Sequence, residues 1–137
     1  MREGWSGDDY LILLDESEGE EISTRLSIDA VLPGHRIIGL RGWDDFIVQN
    51  PTGKSFTIPT VPMAPQYLQE FVFSPAIQLQ EDLQLTGKRK WYTTPIVFGG
   101  DPSSTDNISW VSHKQHIDLI LWWNKQYRRS VTSSNAD

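Results

Sequence analysis

Alternating apolar and polar residues predict several short strands in the first sixty residues. Residues 10–14 form a short apolar run closed by Asp15, a pattern typical of a buried strand. Residues 35–40 and 46–49 are two further apolar runs. Residues 54–58 alternate in polarity and follow Asn50-Pro51-Thr52-Gly53, where Pro presets its φ and Gly tolerates a positive φ. The pattern therefore predicts strands joined by tight turns, with a hairpin across residues 50–53.

The segments between and after these strands are less regular. Residues 16–21 are acidic and include Gly19, which predicts an exposed loop or a frayed helical turn leading into residues 22–31. Prolines at positions 59, 62 and 65 make helices and central strands difficult in that stretch. Residues 87–90 are expected to be exposed, and residues 92–98 are predicted to form a strand.

Residues 112–128 predict one strong helix near the end of the chain. Ser112 and Gln115 have the spacing of a capping box, in which each side chain satisfies a backbone donor. At about 100° per residue, one face of this helix is apolar. That face contains Ile117, Ile120, Leu121, Trp123 and Tyr127. His116 and Asn124 fall on the apolar side, whereas Trp122 falls among polar residues.

These elements predict a single domain of the α+β class over residues 1–130. It would consist of a mainly antiparallel sheet with the C-terminal helix packed on it. Residues 131–137 are small and polar, and they are predicted to form a frayed tail.

Composition narrows the classes of function. The 137 residues include no cysteine, which excludes disulfides and thiolate metal sites. No apolar run approaches the roughly 20 residues needed to span a bilayer, and residues 1–4 lack the apolar region of a signal peptide. We therefore expect a cytoplasmic protein that does not bind a membrane.

The charge is distributed unevenly along the chain. Residues 1–50 hold eleven acids and four arginines, a net charge of −7, whereas residues 51–137 hold seven acids and eight bases, a net charge of +1. An acidic half of this size repels nucleic acid and attracts basic partners. The basic clusters at 88–90 and 128–129 are too short to predict phosphate-backbone binding.

Asp44 and Asp45 form the most conspicuous carboxylate pair. In a strand their side chains would point to opposite sides, which argues against a catalytic dyad. A recognition role in the loop, or a bend after Gly42 in which Trp43 packs, fits the sequence better. Trp122 either packs against a covering loop or anchors a partner, since Trp is enriched at binding hot spots.

His113 and His116 have the i, i+3 spacing on a helix that permits shared metal ligation. Packing or helix capping explains the same residues. The Gly99-Gly100-Asp101-Pro102 segment lacks the Lys-Ser/Thr that a phosphate-binding loop requires, and no serine sits in a nucleophile elbow. The sequence therefore predicts no catalytic residues and no cofactor.

Several segments resemble the SUKH superfamily. They are Trp5 with residues 10–14, the Leu32-Pro33-Gly34 break and the run from Ile37 to Phe46, which look like its central strands. The C-terminal part looks like the ending of small bacterial proteins encoded beside polymorphic toxins, in the Phe98-Gly99-Gly100-Asp101-Pro102 segment, Asn107, Trp110, His116 and Trp122-Trp123-Asn124. The resemblance implies an α+β immunity protein of a bacterium that binds and blocks a cognate toxin, often a nuclease, without catalysis of its own.

The leading hypothesis is therefore a non-catalytic binding protein that neutralises a basic toxin through its acidic N-terminal half. The candidate contact residues are Glu16, Glu18, Glu20, Glu21, Trp43, Asp44, Asp45 and Trp122. Two alternatives stay open. One is a small-ligand or metal-dependent enzyme that uses His113, His116 and a carboxylate, and the other is a homo-oligomeric structural module that associates through Trp122.

Overall fold

A computed structural model describes residues 1–73 and 76–135 of the chain. These residues cluster into two compact units, 1–86 and 87–137, and each is described by itself. The predicted α+β class is confirmed, because the chain forms a large antiparallel sheet, a small second sheet and helices that include a long C-terminal one. Within the described residues, no helix combines the length and apolarity that crossing a membrane requires.

The first unit is built on a six-stranded sheet in which every neighbouring pair is antiparallel and the strand order follows the chain. The strands are β1 (Arg2–Ser6), β2 (Asp9–Leu13), β3 (Arg36–Arg41), β4 (Asp45–Gln49), β5 (Ser55–Pro59) and β6 (Gln69–Glu70). Two helices, α1 (Glu16–Arg25) and α2 (Ile28–Val31), connect β2 to β3.

Four of these strands, β2 to β5, confirm the predictions made from the apolar runs. The β4–β5 hairpin closes at the predicted turn, where the Asn50 Oδ1 atom accepts hydrogen bonds from the backbone N–H groups of Thr52 and Lys54. The apolar runs did not predict β1, because Arg2–Ser6 contains no such run. Its hairpin with β2 turns at Gly7, which has a φ of 61°.

Both faces of the sheet bury apolar side chains. Leu11, Leu13 and Ile47 form a cluster on one face. Five partly buried apolar side chains pack against it: Ile38, Phe71, Phe73, Ile77 and Leu79. Ile12 and Phe46 alternate with them on β2 and β4, and neither is exposed at all. Alternation therefore directs one set of residues to each face, and both sets are covered.

Residues 16–21 belong to α1, so the prediction of an exposed loop is wrong. The alternative of a frayed helical turn underestimates this segment, because α1 is a capped helix of ten residues. Asp15 and Glu18 form a capping box: the Glu18 N–H donates to Asp15 Oδ1 at 2.8 Å, and the Asp15 N–H donates to Glu18 Oε1 at 3.0 Å. Acidic side chains near a helix N-terminus also interact favourably with its dipole. Capping and charge together outweigh the low helix propensity of Gly19.

The second unit contains β7 (Arg89–Tyr92), β8 (Ile108–Val111) and the helix α3 (His113–Asn135). The predicted capping box is confirmed, because Ser112 N–H donates to the Gln115 side chain and Gln115 N–H donates to the Ser112 hydroxyl. In this unit α3 contacts β7, where the rings of Trp91 and His116 meet edge to face at 5.7 Å. The helix includes residues 131–135, and positions 136–137 of the predicted frayed tail lie outside the described residues.

Two predictions in the second unit are wrong. Residues 87–90 are predicted to be exposed, but Arg89 has no exposed surface, because it shares a face of β7 with Trp91, whose ring contacts His116 of α3. The strand predicted over residues 92–98 ends at Tyr92. The strand does not continue through Pro95, because proline has no N–H for a strand ladder. A 3-10 turn at Ile96–Phe98 follows Pro95.

Candidate functional site

The first turn of α1 lies beside the start of β3. Leu14 N–H donates to the carbonyl of Ile38 at 3.0 Å, so the chain enters α1 next to that strand. Gly19 makes the contact close, because a Cβ atom at this position would lie 2.6 Å from the Ile37 carbonyl oxygen. A real Cβ contact is never that short. The missing side chain of Gly19 therefore lets the acidic helix approach the strand backbone.

We predict that Gly19→Ala lowers the free energy of unfolding by about 1–3 kcal/mol, because the added methyl group meets backbone that cannot move aside cheaply. The helix propensity of alanine opposes this loss by about 1 kcal/mol. Chemical denaturation measures the change. The exposed Ser17→Ala substitution in the same helix is the control, expected to stay within about 0.5 kcal/mol. Equal stabilities of the two variants would contradict the close approach.

Two adjoining cavities open where α1 meets the sheet. The larger has a volume of about 390 Å³ and is mainly apolar, and the smaller has a volume of about 210 Å³. Leu14, Asp15, Arg36 and Ile38 line both cavities. We call the pair the α1 cleft. Its apolar lining consists chiefly of Leu13, Leu14, Ile37, Ile38 and Phe73.

Two of the predicted acidic contact residues lie at this cleft. Glu16 and Glu20 line the smaller cavity, and both are exposed. Glu21 is exposed on the same helix. Glu18 has a structural role instead. The backbone hydrogen bond from Asp15 lowers the pKa of Glu18, and the nearby amino group of Met1, 2.9 Å from Glu18 Oε1, lowers it further.

Arg36 is the cation at the junction of the two cavities. Its Nε and Nη2 atoms donate to the Gln49 side-chain oxygen at 3.1 and 2.8 Å. Gln49 is neutral, and no carboxylate of the described residues lies within salt-bridge distance of Arg36. The cleft therefore combines an apolar cavity, an acidic rim from α1 and Arg36, which a neutral amide holds in place; Arg2 and Met1 also line the larger cavity, and the amino group of Met1 pairs with Glu18.

Trp43, Asp44 and Asp45 lie at the opposite end of β3. Gly42 N–H donates to the Tyr10 carbonyl, which joins their turn to the start of β2. Residues 38 and 42 are four positions apart on an extended strand, a separation of about 13 Å. The structure therefore places the candidate acids Glu16 and Glu20 at one end of β3 and Asp44 and Asp45 at the other. That these residues and Trp43 contact a partner stays a prediction.

At this second surface, Trp43 is a packing residue and the two aspartates differ in exposure. The Trp43 ring stacks on Tyr10 at 5.6 Å and 22°. Asp44 is exposed, whereas Asp45 is half-buried at the start of β4. Burial raises the pKa of Asp45, the Asp44 charge raises it further, and Arg41 acts in the opposite direction.

Because folding raises the pKa of Asp45, its ionised form is less favourable in the folded protein than in the unfolded chain. This penalty is present above the folded pKa and disappears as the pH falls below the ordinary value of 3.8. We therefore expect Asp45→Asn to raise the melting temperature at pH 7 relative to the wild type. The gain should shrink toward zero near pH 3. Thermal melts across this range, with the exposed Asp106→Asn as control, check the result; a gain independent of pH would contradict it.

The remaining candidate residues lie in the second unit. Trp122 is 52% exposed on α3, as predicted from its place among polar residues. His116 is fully buried, and His113 is half-buried. Over the described part of the chain, no group of three or more His, Asp or Glu side chains is placed to hold a metal ion.

The apolar part of the α1 cleft was not predictable from the sequence pattern. Leu14, Ile38 and Phe73 come from three distant segments, and nothing in their spacing indicates a shared cavity. The capping box of α1 did leave a signal, since Glu18 follows Asp15 by three positions. That signal would have predicted a helix in place of the loop.

Comparisons with family models, with curated proteins and with solved structures found no match to this chain.

Proposed function

We propose that this chain is a non-catalytic binding protein that takes up a basic protein partner at the α1 cleft. The observation that carries the proposal is the acidic rim of Glu16 and Glu20 beside an apolar cavity of about 390 Å³. Protein interfaces commonly place an apolar anchor in a pocket and surround it with charged groups that steer association. The α1 cleft offers both features side by side: the apolar cavity, and the carboxylates of Glu16 and Glu20 one helical turn apart.

The charge of the first unit supports a basic partner. Residues 1–86 contain fourteen acids and five bases, a net charge of −9. At physiological salt such a field acts over about 8 Å and raises the association rate of oppositely charged proteins. A partner that presents an apolar side chain next to Lys or Arg residues would fill the cavity and meet Glu16 and Glu20.

The resemblance to the SUKH superfamily suggests the biological role. We propose that the partner is a cognate toxin and that the chain acts as its immunity protein in the cytoplasm. A nuclease toxin must carry basic residues to bind the phosphate backbone. A bound acidic protein would cover such residues and prevent access of nucleic acid.

The test is co-expression of the chain with the products of its neighbouring genes, to find one that stops growth, followed by binding measurements on the purified pair. We expect the chain to restore growth and the affinity to fall as salt concentration rises, because the rim contacts are electrostatic. If the chain restored growth but its affinity for the toxin did not change with salt, an acidic contact surface would be contradicted. Failure to bind or to restore growth would overturn the proposed role.

A substitution of Arg36 distinguishes a basic protein partner from an anionic small ligand bound in the same cleft. Arg36→Gln removes a positive charge, so it should strengthen binding of a basic partner and weaken binding of an anion. Titrating the purified toxin with the wild-type chain and with Arg36→Gln measures the direction. Weaker binding by Arg36→Gln would count against a basic partner at the α1 cleft.

A further inference from the structure

The exposed face of α3 carries a large aromatic side chain within an ordered set of charges. Trp122 is 52% exposed, and the exposed residues Asp118, Lys125 and Arg129 lie on the same face. Asp118 precedes Trp122 by four residues, whereas Lys125 and Arg129 follow it by three and seven. Close to Trp122 the face is therefore negative on the N-terminal side, at Asp118, and positive on the C-terminal side; the exposed Lys114, eight residues before Trp122, lies about 80° away at the edge of this face.

Trp122 is supported by other aromatic rings. It meets Trp123 edge to face at 4.8 Å, and Trp123 contacts Phe98 at 4.9 Å. A tryptophan held in this way has little side-chain freedom to lose when another surface covers it. Rigid aromatic side chains of this kind suit binding surfaces, because ordering them costs little entropy.

We propose that a second copy of this chain docks on this face, with the two α3 helices antiparallel and Trp122 at the two-fold axis. A two-fold interface uses the same patch on both copies, so the patch must be complementary to itself. The order of charges along α3 meets this requirement for antiparallel helices. Parallel helices would place Asp118 beside Asp118 and Lys125 beside Lys125.

Helix geometry supports the pairing in detail. At about 1.5 Å per residue, Asp118 lies about 6 Å before Trp122, and Lys125 lies about 4.5 Å after it. At about 100° per residue, both residues fall on the same side of Trp122, about 40° and 60° away. A two-fold axis at Trp122 preserves the side and reverses the direction along the helix. Asp118 of one copy therefore lies level with Lys125 of the other to within about 1.5 Å, and this contact occurs twice.

The test uses charge exchange in the full chain. Analytical ultracentrifugation of the wild type across a dilution series should show the mass rising from 15.7 kDa toward twice that value. Asp118→Lys alone and Lys125→Asp alone should each weaken self-association by about tenfold or more, because like charges then face each other. An equimolar mixture of the two variants should associate again, since each supplies the charge that the other lacks.

Two outcomes of the dilution and mixing experiments would overturn the proposal. One is a wild type that stays at 15.7 kDa at every concentration. The other is a mixture of the two variants that associates no better than either variant alone. Trp122→Ala should abolish association, whereas Trp110→Ala, which removes a tryptophan that is 53% exposed on β8, should leave it unchanged. Equal effects of these two substitutions would also contradict a contact centred on Trp122.

Discussion

Replacing Phe46 by alanine is expected to lower the free energy of unfolding by about 3–5 kcal/mol. Phe46 lies on β4, between Leu40 of β3 and Ile58 of β5, and none of the three is exposed. Truncation of the ring removes apolar contacts and leaves a cavity in the middle of the sheet. A domain with a stability of about 5–15 kcal/mol loses a large fraction of it through such a change.

Urea denaturation followed by circular dichroism measures this loss. Phe46→Leu is a milder variant that keeps part of the apolar volume, and it should retain a folded baseline if the alanine variant does not. Val72→Ala is the control, because Val72 is 85% exposed and its truncation should change stability by no more than about 0.5 kcal/mol. A loss below about 1 kcal/mol for Phe46→Ala would show that this position is not part of a close-packed core.

The second large effect concerns binding. The double substitution Glu16→Lys with Glu20→Lys should weaken binding to the proposed toxin by about tenfold to a hundredfold at low salt, because two rim charges then repel a basic surface. Both side chains are exposed on α1, so the fold should tolerate the change. Biolayer interferometry at several salt concentrations would show the loss mainly in the association rate and mainly at low salt.

The matched control is Glu81→Lys with Asp106→Lys. Both acids are exposed and neither lines the α1 cleft, and the pair changes the net charge by the same amount. If the control weakened binding as much as the cleft variant, only the overall charge of the chain would matter. The α1 cleft would then lose its special role.

Several features of the fold were predictable from local sequence because local interactions create them. The capping box at Ser112 and Gln115, and the turn at Asn50, use hydrogen bonds between residues two to four positions apart. The exposure of Trp122 and the burial of His116 and Asn124 follow from helical periodicity. Each of these signals lies within a few residues of the feature that it predicts.

Other features depend on which distant segments pair. Arg89 is buried on the face of β7 that it shares with Trp91, and Trp91 contacts His116, about twenty-five residues further along the chain. The apolar part of the α1 cleft needs Leu14, Ile38 and Phe73 side by side. No local pattern contains this information, because side chains separated by many residues meet only after the strand register is set.

Local patterns in the chain predict the α+β class, four strands of the large sheet, the start of α3 and the negative charge of the N-terminal half. These properties arise from periodicity, capping and composition, which act over short stretches of chain. No such pattern predicts that Glu16 and Glu20 lie at an apolar cleft while Asp44 and Asp45 lie at the other end of β3. Strand pairing and the close contact of Gly19 with Ile37 set where these carboxylates lie in the fold. Composition gives only how many carboxylates the N-terminal half contains.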